Sequence, residues 1–167
     1  AQLENEQTFD LSNISAEFIL TNPTTGEVIT QEALVPLSSI AAGKKLPIFA
    51  FIESAAFNNP QVSVQLTSAM NSSASTAPIT LSEPQINIDK GGMYATVNVE
   101  AVYNQAEISS ASIWLAAVAY DAQGNVAGIR RYQCAPSGPG EAVNITLYIY
   151  SVNNKIDKVE LFGEAVP

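Results

Sequence analysis

Between residues 143 and 150 apolar and polar side chains alternate without a break: Val143, Ile145, Leu147 and Ile149 against Asn144, Thr146, Tyr148 and Tyr150. A period of two marks a strand with one buried face. Residues 93–103 repeat the pattern, with Val97, Val99, Ala101 and Tyr103 set against Thr96, Asn98 and Glu100. Ile86 and Ile88 predict a short strand over 85–89 after Pro84, which Gly91-Gly92 turns into the next. The run SIWLAAVAY, residues 112–120, is apolar on both faces and predicts a central strand. Its Ile, Val, Trp and Tyr, followed at once by a turn, favour strand over helix. About eight short strands with few helix signals predict an all-β chain of immunoglobulin-like β-sandwich type.

The pattern also repeats. NPTTGEVI (residues 22–29) resembles YDAQGNVA (120–127), with Gly26 on Gly124. GKKLPIFAFIES from Gly43 resembles GEAVNITLYIYS from Gly140, an offset of 97 residues that holds without a gap to Val62 and Val159. Leu46, Ile48 and Ile52 then fall on Val143, Ile145 and Ile149. Shared apolar positions in one register predict two tandem modules, over 1–69 and 79–167, joined by a Ser/Thr/Ala-rich linker at 70–78.

The stretch AYDAQGNV, residues 119–126, offers three readings: a metal loop, a catalytic carboxylate or a tight turn. Gly124 supplies the positive φ of a hairpin loop, and Asp121 can accept hydrogen bonds from the turn backbone. The matching turn at 23–27 keeps Gly26 but has no carboxylate at the Asp121 position. The Asp and Glu spacing of a calcium loop is absent too. A turn fits both copies, so no metal site is expected.

The second module, PQINIDKGGMYATVNVEAVYNQ through ISSASIWLAAVAYDAQGNVAGIRRYQC and GPGEAVNITLYIY to IDKVELFGEA, resembles the FxLYD-type and related immunoglobulin-like domains of bacterial and archaeal exported proteins. The resemblance covers roughly 79–165 and rests on the strand layout, with the named motif kept at Tyr120-Asp121. It implies an accessory or surface module without catalysis, engaged in binding or scaffolding.

The repeat offset sharpens the expectation for the first module. Carried back by 97 residues, the strands at 85–89 and 93–103 fall almost wholly before residue 1. The first module is therefore expected to lack one strand and most of another. Such a sandwich exposes unpaired N–H and C=O groups beside an apolar groove. Filling it with three apolar side chains is worth on the order of 5–9 kcal/mol before entropy costs. Four explanations are open: a smaller module, a covering by the second module, a trimmed chain, or a strand borrowed from a neighbouring subunit. Borrowing repeated head to tail would build a fibre. The candidate donor is the segment 1–10, AQLENEQTFD, with Leu3 and Phe9 as its apolar residues.

Charge and composition narrow the partners. Seven Lys and Arg against sixteen Asp and Glu give a net charge of −9, and no basic cluster exceeds two residues. Nucleic acid and anionic membrane surfaces are repelled by such a chain. No apolar run reaches the ~18–20 residues of a helical membrane span. A start at Ala1, few Lys and many Ser, Thr, Asn and Gln fit an extracellular protein after leader removal, or a trimmed chain. Three triplets fit N-glycosylation, at Asn13, Asn71 and Asn144. The single cysteine, Cys134, is expected to be buried, with pairing to another molecule as the alternative.

Chemistry is sparse. There is no histidine, which excludes the commonest general base. Glu53, Glu83, Glu100 and Asp157 are carboxylates that nothing in the sequence brings together, so no enzyme and no cofactor are expected. Trp114 is expected in the core, although with Tyr148 and Tyr150 it could form an aromatic platform for a sugar or peptide. The two tyrosines equally suit a contact between subunits. The sequence therefore predicts a non-catalytic extracellular structural subunit, a filament or surface layer assembled head to tail by strand complementation. The alternative is a cell-surface module binding a sugar or peptide.

Overall fold

A computed structural model describes residues 1–52, 59–72, 79–103, 112–135, 138, 140–152 and 154–166. Glu53 and residues 73–78 of the expected linker lie outside them. Every element among the described residues is a β-strand, and the chain is an all-β protein of sandwich type. Contacts divide it into two compact units, Ala1–Ser73 and Ala74–Pro167.

The C-terminal unit holds β7 (Ile79–Leu81), β8 (Gln85–Ile88), β9 (Tyr94–Tyr103), β10 (Ser112–Tyr120), β11 (Val126–Cys134), β12 (Val143–Tyr150) and β13 (Lys158–Val166). In one sheet β9 lies between β12 and the successive strands β7 and β8; in the other β10 lies between β11 and β13. The period-two residues meet between the sheets. Val97, Val99 and Ala101 pack with Ile145, Leu147 and Ile149 against Ile113, Leu115, Ala117 and Ala119. Where β11 nears β12, Gly128 stands so close to the Tyr150 carbonyl that a Cβ there would overlap it. The Val152 amide donates to the Ala127 carbonyl at the same corner, 2.9 Å away.

Two expectations are corrected here. Strand β10 alternates, so Ile113 and Leu115 enter the core while Trp114 takes the opposite face. There it is partly buried, with the Arg131 guanidinium 3.8 Å from its ring centroid. Cys134 is half-buried rather than fully buried, because it ends the edge strand β11; it still packs against the core.

The N-terminal unit holds β1 (Gln2–Glu4), β2 (Leu11–Thr21), β3 (Val28–Glu32), β4 (Ser39–Ile40), β5 (Lys45–Pro47) and β6 (Gln61–Asn71). Strand β2 is flanked by β3 and β6, and its start also pairs with β4. β6 runs on through Met70 and Asn71, residues expected in the linker. β1 and β5 form a separate two-stranded sheet, with Leu3 opposite Leu46. The β2–β6 register slips between Ser12 and Ser15 and again between Ser15 and Ala16. Asn13 sits in this irregularity at φ 49°, a left-handed conformation that asparagine tolerates better than most residues.

Neighbour relations in the two units correspond. β2 lies between β3 and β6 as β10 lies between β11 and β13, and β1 pairs with β5 as β9 pairs with β12. But β1 has three residues where β9 has ten, and no described strand of the N-terminal unit stands where β7 and β8 do. The cores differ accordingly: three clustered fully buried residues, Ala16, Ala33 and Ile48, against sixteen in the C-terminal unit among the described residues.

Candidate functional site

The N-terminal unit leaves part of its inner face open. Along β6, Val62, Val64 and Leu66 stand opposite Leu20, Phe18 and Ala16 of β2, so all six side chains share one face. That face is the inner one, since Ala16 and Phe18 belong to the small core. Yet Val62 is 58% exposed, Val64 37% and Leu66 51%, while Leu20 is 6% and Ala16 0%. Leu3 of β1 and Ile48, just after β5, join the cluster at Ala16 and Ala33 and leave the β6 stripe exposed.

The C-terminal unit identifies the missing cover. Val159, equivalent to Val62, is only 9% exposed. Leu161, equivalent to Val64, packs against the core. Ile79 of β7 lies over Gly163, the position equivalent to Leu66. The N-terminal unit has no counterpart of β7 among the described residues, and the stripe on β6 stays in solvent. β6 is also an edge strand, paired only with β2 among the described residues. Its eleven residues, QVSVQLTSAMN, carry no charge, no Pro and no Gly. The equivalent edge β13 carries the exposed Lys158 and Glu160, the kind of charged guard that keeps edges from pairing.

The expected donor lies within its own unit. Leu3 pairs with Leu46 and packs beside Ala16 and Ile48. Asn5 ties down the chain after it. Its side chain is buried, with Nδ2 donating to the Phe9 and Ile40 carbonyls at 2.9 Å and Oδ1 accepting from the Gln7 amide at 3.0 Å. Phe9 itself remains exposed. Nothing in a polar decapeptide singles out Asn5, so this clamp was invisible to sequence reading.

A second surface lies on the outer face of β9 and β12. Tyr150 stands opposite Tyr94, their ring centroids 6.1 Å apart and tilted by 36°. Tyr148 is exposed on the same face. Trp114 belongs to the other sheet and does not join them, whereas Tyr94 does; its direct pairing with Tyr150 is the feature the sequence did not show. Further along, Ser82, Glu83, Gln85, Asn98, Glu100 and Asn144 line a shallow cleft of about 310 Å³. Glu83 and Glu100 thus share a cleft that the sequence did not predict; both are exposed. Asp157 lies elsewhere, its amide donating to the Tyr120 carbonyl.

The Asp121 loop is a clamp on a turn. Oδ1 accepts from the Gln123 and Asn125 amides at 3.0 and 2.8 Å; Oδ2 accepts from the Asn125 and Asn154 side chains at 3.1 and 2.8 Å. The Asn125 side chain leads the interactions that hold the carboxyl below its ordinary pKa, against the opposing effect of desolvation. In the N-terminal unit Asn22 takes the equivalent role one position earlier, accepting from the Thr24 and Thr25 amides. Gly26 and Gly124 have φ 74° and 81°, as both turns require. No group of three His, Cys, Asp or Glu that could hold a metal ion occurs among the described residues. Among the described residues no helix is long and apolar enough to cross a membrane.

Of the three sequon asparagines, Asn144 is exposed on β12, and Thr146 two residues on donates from Oγ1 to Asn98 Oδ1 at 2.8 Å. Asn13 is exposed at the β2 irregularity and Asn71 at the end of β6; Ser73, which completes the Asn71 triplet, lies outside the described residues.

No family model and no curated protein sequence matches the chain.

Proposed function

We propose that this chain is a non-catalytic extracellular structural protein, a subunit that self-assembles into a filament or surface layer through its incomplete N-terminal sandwich. The observation that carries the reading is the stripe Val62, Val64 and Leu66, apolar, exposed and on an uncharged edge strand. Edge strands of this kind template the addition of another strand: the backbone supplies hydrogen bonds and the alternate side chains supply a groove. The polar loops and the resemblance of residues 79–165 to exported immunoglobulin-like domains favour an extracellular setting. Because residues 1–10 are engaged in cis, the contact is made at β6. The test is size-exclusion chromatography and negative-stain microscopy of the whole chain against Val64→Lys. Ordered assemblies that disappear in the variant support the reading; assemblies indifferent to it, or a monomer at every concentration, refute it.

A second reading has its own observation. The Tyr94, Tyr148 and Tyr150 face, continued by the amide-lined cleft at Asn98 and Asn144, suits a neutral sugar or a peptide. Glycan-array binding by a strictly monomeric preparation, lost in Tyr148→Ala/Tyr150→Ala, would favour a cell-surface binding module instead.

A further inference from the structure

We infer that the strand pairing with β6 is β6 of a second copy, antiparallel and two-fold symmetric about Val64. The inference rests on the reading of the N-terminal unit as an assembly face and names its partner. A two-fold contact closes on itself, so it makes a dimeric building unit, and growth into a filament or layer uses a further surface of that dimer. Three features of the strand select this occupant.

The first is charge. Two copies of a chain at −9 repel each other wherever their acidic surfaces approach, yet β6 contains none of the sixteen acids. Of the equivalent edges β6 and β13, only β13 carries charged side chains, the exposed pair Lys158 and Glu160 and the buried Glu164.

The second is register. Side chains alternate faces along a strand, so only registers that keep parity place both apolar stripes on the same side. Centring on Val64 puts Val64 opposite Val64, Val62 opposite Leu66 and Ser63 opposite Gln65. Each apolar residue of the stripe then meets an apolar residue, and each of these polar ones a polar one.

The third is the irregularity. The β2–β6 ladder is regular from Gln61 opposite Thr21 to Leu66 opposite Ala16, and slips beyond it. Pairing centred on Val64 uses residues 61–67 and stops where the slip begins. The result is a continuous sheet in the order β3-β2-β6-β6-β2-β3, with the two open stripes merged into one. A ladder this short buries less than the roughly 800 Å² per partner of a standard interface, so the dimer is weak and builds up with concentration.

The test uses the whole chain carrying Cys134→Ser, with Val64→Cys as reporter. Mild oxidation is expected to give a disulfide-linked dimer at position 64. Val62→Lys and Leu66→Glu are each expected to weaken dimerisation at least about tenfold, by placing a charge against an apolar side chain. The double variant Val62→Lys/Leu66→Glu is expected to recover it, since each introduced lysine then faces an introduced glutamate of the other copy. The β6 substitutions all lie on an exposed strand and Cys134→Ser replaces a half-buried residue at the end of β11 with a near-isostere, and circular dichroism checks the fold of each variant. If assembly is sensitive to Val64→Lys but shows neither the cross-link nor the recovery, the symmetric pairing is wrong and another strand occupies the edge. A monomer up to about 1 mM removes both the pairing and the reading beneath it.

Discussion

Ile79 of β7 lies directly over Gly163 of β13, and a methyl group added at Gly163 would collide with its terminal carbon. Leu66 occupies the equivalent place in the N-terminal unit and stands half in solvent. One contact made and the same contact unmade distinguish a closed unit from an open one.

That contrast predicts different costs for the same change. Val159→Ala removes apolar contacts from a closed core and should cost about 1.5–2.5 kcal/mol. Val62→Ala, at the equivalent exposed site, should stay within about 0.5 kcal/mol in dilute solution. Urea melts check both, with the single tryptophan, Trp114, reporting the C-terminal unit and far-ultraviolet circular dichroism the whole chain.

Gly128→Ala should destabilise the C-terminal unit by about 1–3 kcal/mol, since the obstacle is the Tyr150 carbonyl and backbone cannot turn aside. Gly163→Ala should cost less, because the ends of the Ile79 and Leu115 side chains can rotate away. Tryptophan-detected melts of the two variants should rank them in that order.

Asp121 should mark the acid limb of stability. Its pKa is depressed in the fold, so its contribution is present above the ordinary carboxylate value and is lost as pH falls through the lower, folded value. Asp121→Asn should be less stable at neutral pH and should show a flatter decline into acid. Asp89 has a lowered pKa for a related reason, led by the Tyr94 amide, so Asp89→Asn should flatten the profile further. Thermal midpoints measured across the acid range check both.

Tyr120 should act at the opposite end. Burial, and then the nearby Glu160 carboxylate, push its phenol up to about 12. A raised folded pKa means stability that is intact below the ordinary value of about 10 and lost as pH rises toward 12. Absorbance at alkaline pH should show one tyrosine ionising late, and Tyr120→Phe should remove both that step and part of the alkaline loss of stability.

Leu3→Asp should unsettle the N-terminal unit even in dilute solution, because Leu3 packs with Ala16 and Ile48 of its own chain. If residues 1–10 instead served mainly as a donor, the substitution would leave the dilute chain unaffected and change only its assembly.

Much of the architecture was legible because it is local. Strict alternation at 94–103 and 143–150 specifies half-buried strands, since a one-residue slip would turn Val97 or Ile145 outward. Gly124 and Gly26 announced their turns for equally local reasons: few residues other than glycine adopt a φ near +80° without strain.

What the residues do across the fold was not legible. Trp114 looked like a core anchor until the pairing of β10 put Ile113 and Leu115 inward. Asn5 and Asn22 read as ordinary surface amides, and only their neighbours make them clamps. That Leu3 lies opposite Leu46 depends on a strand about forty residues away, which no local pattern announces.

The sequence by itself determined strand identity and the turns, because each depends on side chains close together along the chain. Tertiary structure alone decided that the apolar stripe on β6 stays exposed and that Leu3 lies opposite Leu46 of its own unit. Covering an apolar face depends on which distant strand crosses it, and no local pattern encodes that.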